Sequence, residues 1–189
     1  MVWVVTALRV ASGTLEEVLV IHHTERTGGA MISIRRIAVD DWQGWRRLRR
    51  EALREAPQAF GSSLASWTGD GDTEERWRNR LRDVPVNVVA DVDGVDVGMC
   101  CLTAVVDGEA ELIAMWVAPE ARGRGVGAAL VRAVVDQARE AGATRVLLDV
   151  VQENESAVAL YSTCGFVDVE FAAGPTRNLA DRRMRLDLG

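Results

Sequence analysis

Residues 112–151 read as strand, glycine-rich turn, helix and strand, and that order leaves few folds open to the chain. The first strand is the apolar run 112–117, punctuated by Pro119, whose ring leaves no backbone N–H for a ladder. Beyond it, Arg122, Gly123, Arg124, Gly125 and Gly127 alternate cations with positions that lack a side chain. Leu130, Val131, Val134, Val135, Ala138 and Ala141 then recur at helical spacing, and Gly142 follows as a residue suited to a left-handed helix end. The glycines therefore sit at a helix N-terminus. Unpaired N–H groups and about half a positive charge favour an anion there, and bare backbone lets its oxygens come close. Residues 144–151 read as the next strand, which completes a βαβ unit around a phosphate cradle.

Two ligands suit such a cradle. Gly123-x-Gly125-x-x-Ala128 fits a dinucleotide fingerprint, with Asp149 near the end of the next strand where a ribose-binding acid belongs. Against it, residues 118–122 separate strand from turn. A doubly wound sheet also needs more βα units than residues 150–189 can supply.

The second reading rests on two motifs in order. Arg122-Gly-Arg-Gly125-Val-Gly127 follows the strand end Val117-Ala-Pro, and Asn154, Ala157, Leu160, Tyr161, Gly165 and Phe166 follow later with fixed spacing. Together they resemble the two signature blocks of the GNAT superfamily of acetyl-CoA-dependent N-acetyltransferases. The resemblance runs roughly from Ile32 to the C-terminus, strong over 111–166 and looser elsewhere. It implies a mixed, three-layer α/β fold: a central, mostly antiparallel twisted sheet, a splayed parallel strand pair and flanking helices. It further implies that acetyl-CoA lies along the backbone of Met115, Trp116 and Val117, with its phosphates on Arg122, Gly123, Arg124, Gly125, Val126 and Gly127. Asn154, Ala157 and Tyr161 would meet its arm.

Acetyl transfer to an amine needs a neutral amine, a stabilised oxyanion and a proton for the departing thiolate. By resemblance Tyr161 supplies that proton; a phenol, with pKa roughly 10, matches a thiolate in basicity. Glu111 holds the position of a general base on the strand before the phosphate turn, with Glu109 one pleat away as fallback and a water chain as the other option. Backbone N–H groups near Trp116 would hold the oxyanion. A GNAT-fold acyl-CoA-binding or regulatory module without turnover is the alternative, and Tyr161 is the feature that favours the enzyme.

Composition narrows the partners. A net charge of −6 and a pI near 5.0 disfavour general binding to nucleic acid or anionic membrane, both of which need a basic surface. The expected partner is a small-molecule or peptide amine, with a homodimer left open. Cys100, Cys101 and Cys164 form neither a disulfide framework nor a zinc pattern, and His22-His23 lack further spaced ligands, so no metal is expected. Without a signal-like or membrane-spanning run, a reduced cytoplasmic setting is expected. Cys164, with no histidine near it in sequence, reads as a structural thiol.

Residues 1–30 read as an extension of unknown role, with a hairpin one option and Met31 an alternative start; 31–189 read as the catalytic domain. Asp40 or Asp41 caps a helix whose apolar stripe is Trp42, Trp45, Leu48 and Ala52, with Arg46, Arg47, Arg49, Arg50 and Arg54 assigned to other, solvated faces. Pro57 ends it, and residues 56–63 resemble a family loop at the acceptor side. Asp72 with Glu75 has capping-box spacing for a helix burying Trp77, Leu81 and Val84; Trp67 reads equally as core or pocket wall. Strands follow at 86–92, 95–106 and from 109, joined by Asp93-Gly94 and Asp107-Gly108. Residues 166–171 and 182–188 finish the sheet, and the loop through Gly174-Pro175 would border the acceptor.

Overall fold

The computed structural model describes residues 2–5, 21–27, 30–60, 62–169 and 181–189. Its strands in chain order are β1 (Val2–Val5), β2 (Ile21–Thr27), β3 (Ala30–Arg36), β4 (Val86–Val92), β5 (Val95–Leu102), β6 (Glu109–Val117), β7 (Arg145–Val151), β8 (Val167–Asp168) and β9 (Asp181–Asp187). They form one nine-stranded sheet in which each strand neighbours the next, except that β9 inserts between β7 and β8. All neighbours run antiparallel apart from β6 and β7. A single parallel pair is not a doubly wound sheet, and the dinucleotide reading falls with it.

Helices α1 (Trp42–Glu55) and α2 (Glu74–Asp83) cover one face, where Arg80 of α2 reaches the Cys101 thiol of β5. Helix α3 (Val126–Glu140) covers the other, where Leu130 and Val126 close over Gly98 of the same strand. Helix α4 (Glu155–Thr163) lies beside α3. Covered on both sides, β4 buries every residue from Val86 to Ala90, so it reads as a continuous apolar run rather than an alternating one. On α1, Trp45, Leu48 and Ala52 are at most 1% exposed. Burial of side chains such as Leu48 contributes about 1.5–3 kcal/mol each, and Leu48→Ala would remove most of that.

Four local expectations are corrected. Helix α2 is capped by Thr73, whose side chain accepts from Arg76 N; Asp72 instead accepts from Arg46 Nε (2.6 Å), Arg50 Nη1 (2.8 Å) and Trp77 Nε1 (2.8 Å), tying α1 to α2. Asp41 caps not α1 but the 3₁₀ turn Val39–Asp41, by accepting from Ala38 N at 2.8 Å. Arg49 is buried at 9% exposure, because its spacing of four from Trp45 puts it on the stripe rather than on a solvated face. Strand β5 stops at Leu102, and Val106 only bridges Glu109 across the turn.

The expected hairpins at 93–94 and 107–108 are present, and β9 alternates buried Met184 with the charged Arg183 and Arg185. Strands β1 and β2 pair antiparallel and extend the sheet through β3, with His22 and His23 in the β2 ladder. Residues 170–180, including Gly174-Pro175 and the end of the expected strand 166–171, lie outside the described residues, as do the side chains of His22 and His23.

Candidate active site

Strands β6 and β7 pair only over Glu109–Glu111 and Arg145–Leu147, although both continue beyond. From Leu112 onward they part, leaving a wedge in the sheet. The cause lies partly in β6 itself. Met99 pairs with Trp116 and Cys101 with Ile113, so β6 carries one residue more than β5 over that interval, and Ala114 takes a left-handed φ of 56°. An extra residue in one strand is a bulge: it drops out of the ladder and bends the strand.

The wedge points at the glycine turn. Gly125 is the N-cap of α3 with φ 85°, a conformation in which a Cβ would clash with the following carbonyl. With no side-chain cap on that terminus, the first N–H groups of α3 face outward from bare backbone. A Cβ on Gly127 would lie 2.9 Å from Leu160 Cδ2 of α4 and 3.5 Å from Met115 Cε of β6, so glycine lets the cradle close on both elements. Arg124 is exposed on the turn and has no ion-pair partner among the described residues. Arg122 behaves differently. It donates through Nε to Val117 O at 2.9 Å and through Nη2 to Glu55 Oε2 at 2.8 Å, and the same oxygen accepts from Trp116 Nε1 at 3.0 Å. Glu55, at the end of α1, thus ties that helix to the bulged strand and to the glycine turn. Arg122 and Trp116 hold the Glu55 carboxyl below its usual range, Arg122 first.

Tyr161 is 6% exposed on α4 and meets Phe166 edge-on at 5.9 Å between ring centres. Burial pushes its phenol well above its usual value, with Cys100 and Cys164 adding smaller effects in the same direction. Its neighbour on α4, Leu160, packs at Gly127 of α3 close to Met115 of β6, so α4 borders the cradle. A phenol in that setting stays protonated at neutral pH, as a proton donor must. Burial also raises Cys100 and Cys164, which makes them poor nucleophiles and leaves the structural role of Cys164 standing. Asn154 caps α4 by accepting from Ala157 N at 3.2 Å.

Glu111 lies on the other face. The registers put Glu109, Glu111, Arg145, Asp149, Arg183, Arg185 and Asp187 on one side of β6, β7 and β9, the side that α1 covers over β5. Arg183, its side chain 10% exposed, bonds Glu111 Oε1 at 2.8 Å and sits 3.3 Å from Asp149 Oδ2. The carboxylate at position 111 is therefore oriented, not free in solvent. Glu109, the fallback, pairs with Arg145 at 3.1 Å. Asp149 faces Arg183, in keeping with the loss of its ribose role. Trp67 stacks on Trp77 at 4.3 Å and under Arg76, as part of the α1–α2 layer. Reading the sequence missed Glu55 and Arg183, since ion pairs between residues 67 and 72 apart leave no local signal. No cluster of three or more potential metal ligands occurs among the described residues, nor any helix long and apolar enough to cross a membrane.

Comparison with known proteins bears on the family and the fold. Residues 42–166 match the acetyltransferase (GNAT) family. A putative ribosomal protein bS18-alanine N-acetyltransferase of Bacillus subtilis (strain 168) is 31% identical over 121 residues, covering 64% of this chain and 78% of that protein. YobR, an uncharacterized N-acetyltransferase of the same organism, is 41% identical over 63 residues, 33% of this chain; the chain spans only 26% of that relative. In fold, a putative acetyltransferase from Salmonella typhimurium, solved with its cofactor acetyl-CoA, superposes with TM-score 0.66 at 21% identity, covering 84% of this chain and 94% of that one.

Proposed function

The chain belongs to the acetyltransferase (GNAT) family, and from that premise we propose that it moves an acetyl group from acetyl-CoA to a primary amine by direct transfer, with both molecules bound at once. The observation that carries the reading is the wedge between β6 and β7, which opens toward the glycine turn of α3, with Leu160 of α4, next to Tyr161, packed at that turn. When bound, acetyl-CoA supplies the acyl thioester. The cradle of Gly123, Arg124, Gly125, Val126 and Gly127 would take its pyrophosphate through backbone N–H groups and the Arg124 guanidinium. Arg122 serves through its backbone, because its side chain is committed to Glu55 and Val117.

The backbone of Met115, Trp116 and Val117 lines the wedge, and N–H groups near Trp116 hold the carbonyl oxygen as charge develops on it. Asn154 and Ala157, at the start of α4, border the arm. Tyr161 keeps the proton on Oη until the thiolate departs. Glu111, oriented by Arg183, takes the proton from the amine directly or through water. In this reading residues 31–189 form the catalytic domain and residues 1–30 add strands at its β3 edge.

The test is incubation with acetyl-CoA and a panel of amines, with thiol release and product mass as readouts. Amine-dependent thiol release with a matching acetylated product is expected. Acetyl-CoA binding with no product from any amine class would point instead to a binding module without turnover.

A further inference from the structure

Among the described residues four buried side-chain N–H groups lack any partner, and three of them belong to α1 and α2: Trp45 Nε1, Arg49 Nη1 and Arg80 Nη1. Trp45 and Arg49 lie one turn apart on the buried face of α1, and the Arg80 guanidinium sits 5.7 Å from the Trp45 ring centre. Arg49, 9% exposed, stacks on Phe60 at 4.3 Å and donates to Ser62 Oγ at 3.0 Å. All three orphans are donors.

No counter-charge balances the two guanidiniums. Among the described residues, the nearby carboxylates serve other cations: Asp72 holds Arg46 and Arg50, Glu51 faces Arg47, Glu55 holds Arg122 and Glu74 holds Arg78. The Cys101 thiol lies 3.8 Å from Arg80 Nη2, but it donates to Asn87 Oδ1 at 3.1 Å, and burial pushes it up to about 11, so the sulfur is neutral. Arg49 is lowered only to about 10, by burial and then by the like charge of Arg80, and stays cationic at neutral pH. Water could accept one or two of these bonds but brings no charge. A buried cation such as Arg49, with the half-buried Arg80 beside it, needs an anion, and a planar carboxylate matches the guanidinium fork.

The cluster borders the acceptor face. Cys101 is the register partner of Ile113, two residues along β6 from Glu111 on the same side, and the turn Pro57–Ala59 before Phe60 packs on β7. We propose that Trp45, Arg49 and Arg80 form a carboxylate-binding subsite for the acceptor, so that the preferred amine carries a carboxylate and extends from this subsite along β6 toward Glu111. This rests on the amine-acetylation reading above.

Two measurements test it. The first needs no turnover: melting temperature is followed against sodium acetate replacing sodium chloride at fixed ionic strength, without cofactor, for the wild-type chain and Arg80→Gln. A saturable rise in the wild type that Arg80→Gln abolishes is expected; no rise, or an equal rise in both, overturns the subsite. The second compares amino acids with their amides as acceptors by thiol release. A wild-type kcat/KM at least tenfold higher for the free carboxylate, collapsing toward parity in Arg80→Gln and in Arg49→Gln, is expected. Indifference of the wild type overturns the acceptor assignment even if acetate binds. Should no amine be acetylated, the proposed activity fails while the acetate titration still decides the subsite; should Arg80→Gln not fold, the wild-type ratio of carboxylate to amide decides it.

Discussion

Tyr161→Phe removes one oxygen and nothing else, and the structure makes its two consequences separable. The phenol is the sole tyrosine of the chain, and among the described residues its hydroxyl makes no hydrogen bond, so deletion orphans no partner. The ring keeps its edge contact with Phe166. Loss of an unpartnered hydroxyl costs well under about 1 kcal/mol, which in a domain of this size moves the melting temperature by less than about 2–4 °C. Loss of a general acid costs about 10²- to 10⁴-fold in rate, or roughly 2.7–5.5 kcal/mol of barrier. The prediction is therefore a kcat lower by at least a hundredfold, with acetyl-CoA affinity by calorimetry and melting temperature nearly unchanged. Burial fixes the pH behaviour. A phenol whose proton is held above its usual value of 10.0 keeps it throughout the neutral range, and activity that depends on it is lost only as pH rises beyond that value. The wild-type kcat should thus show no fall from Tyr161 between about pH 7 and about pH 10. Equal turnover by the Phe variant would refute the acid role outright; a large loss of stability in the variant would refute the claim that the hydroxyl is structurally idle.

Other expectations concern the ties around the wedge. Glu55→Gln loses the charge that Arg122 and Trp116 share; with Glu55 33% and Arg122 48% exposed, screening limits the stability loss to about 1 kcal/mol. If Glu55 positions the bulged strand, kcat falls about tenfold with little change in KM for the amine, whereas a purely structural tie would move melting temperature alone. Arg124→Glu reverses an exposed, unpaired charge on the turn and should weaken acetyl-CoA binding at least tenfold, about 1.4 kcal/mol, with a shallower salt dependence; unchanged calorimetric affinity would remove Arg124 from the site. Asp72→Asn breaks charged bonds from Arg46 and Arg50 and should cost about 2 kcal/mol, or about 4–8 °C in melting temperature. Arg46 first, then Trp77, holds the Asp72 carboxyl far below its usual range. Its stabilisation is thus full above about pH 4 and declines as pH falls, so the variant's deficit should shrink in acid unfolding scans.

Much of the fold around the candidate site was legible because its signals are local. The glycine turn, the α3 stripe and the block from Asn154 to Phe166 each lie within a few turns of chain, and the structure packs α4 beside α3, with Leu160 meeting Gly127. The two hairpins were equally plain, since Asp-Gly at positions 93–94 and 107–108 encodes a tight turn without tertiary help. What stayed hidden is long-range. Nothing near Glu111 announces Arg183, and nothing near Arg122 announces Glu55, because those pairs exist only once α1 has packed on the sheet and β9 has paired with β7 one strand beyond β6. The bulge at Ala114 escaped for a related reason: one extra residue is visible only against the register of β5. Arg49 is the instructive miss. Its spacing from Trp45 places it on the apolar stripe, its charge argues for a solvated face, and in the fold position outweighs charge.

The cradle is the claim on which the rest depends, and calorimetric titration of the purified chain with acetyl-CoA, repeated with NADH, tests it most directly. Saturable binding of acetyl-CoA with none of NADH is predicted, since the turn of Gly123 to Gly127 opens onto a wedge between only two parallel strands and not onto a doubly wound sheet. Binding of NADH, or of neither, would contradict the account.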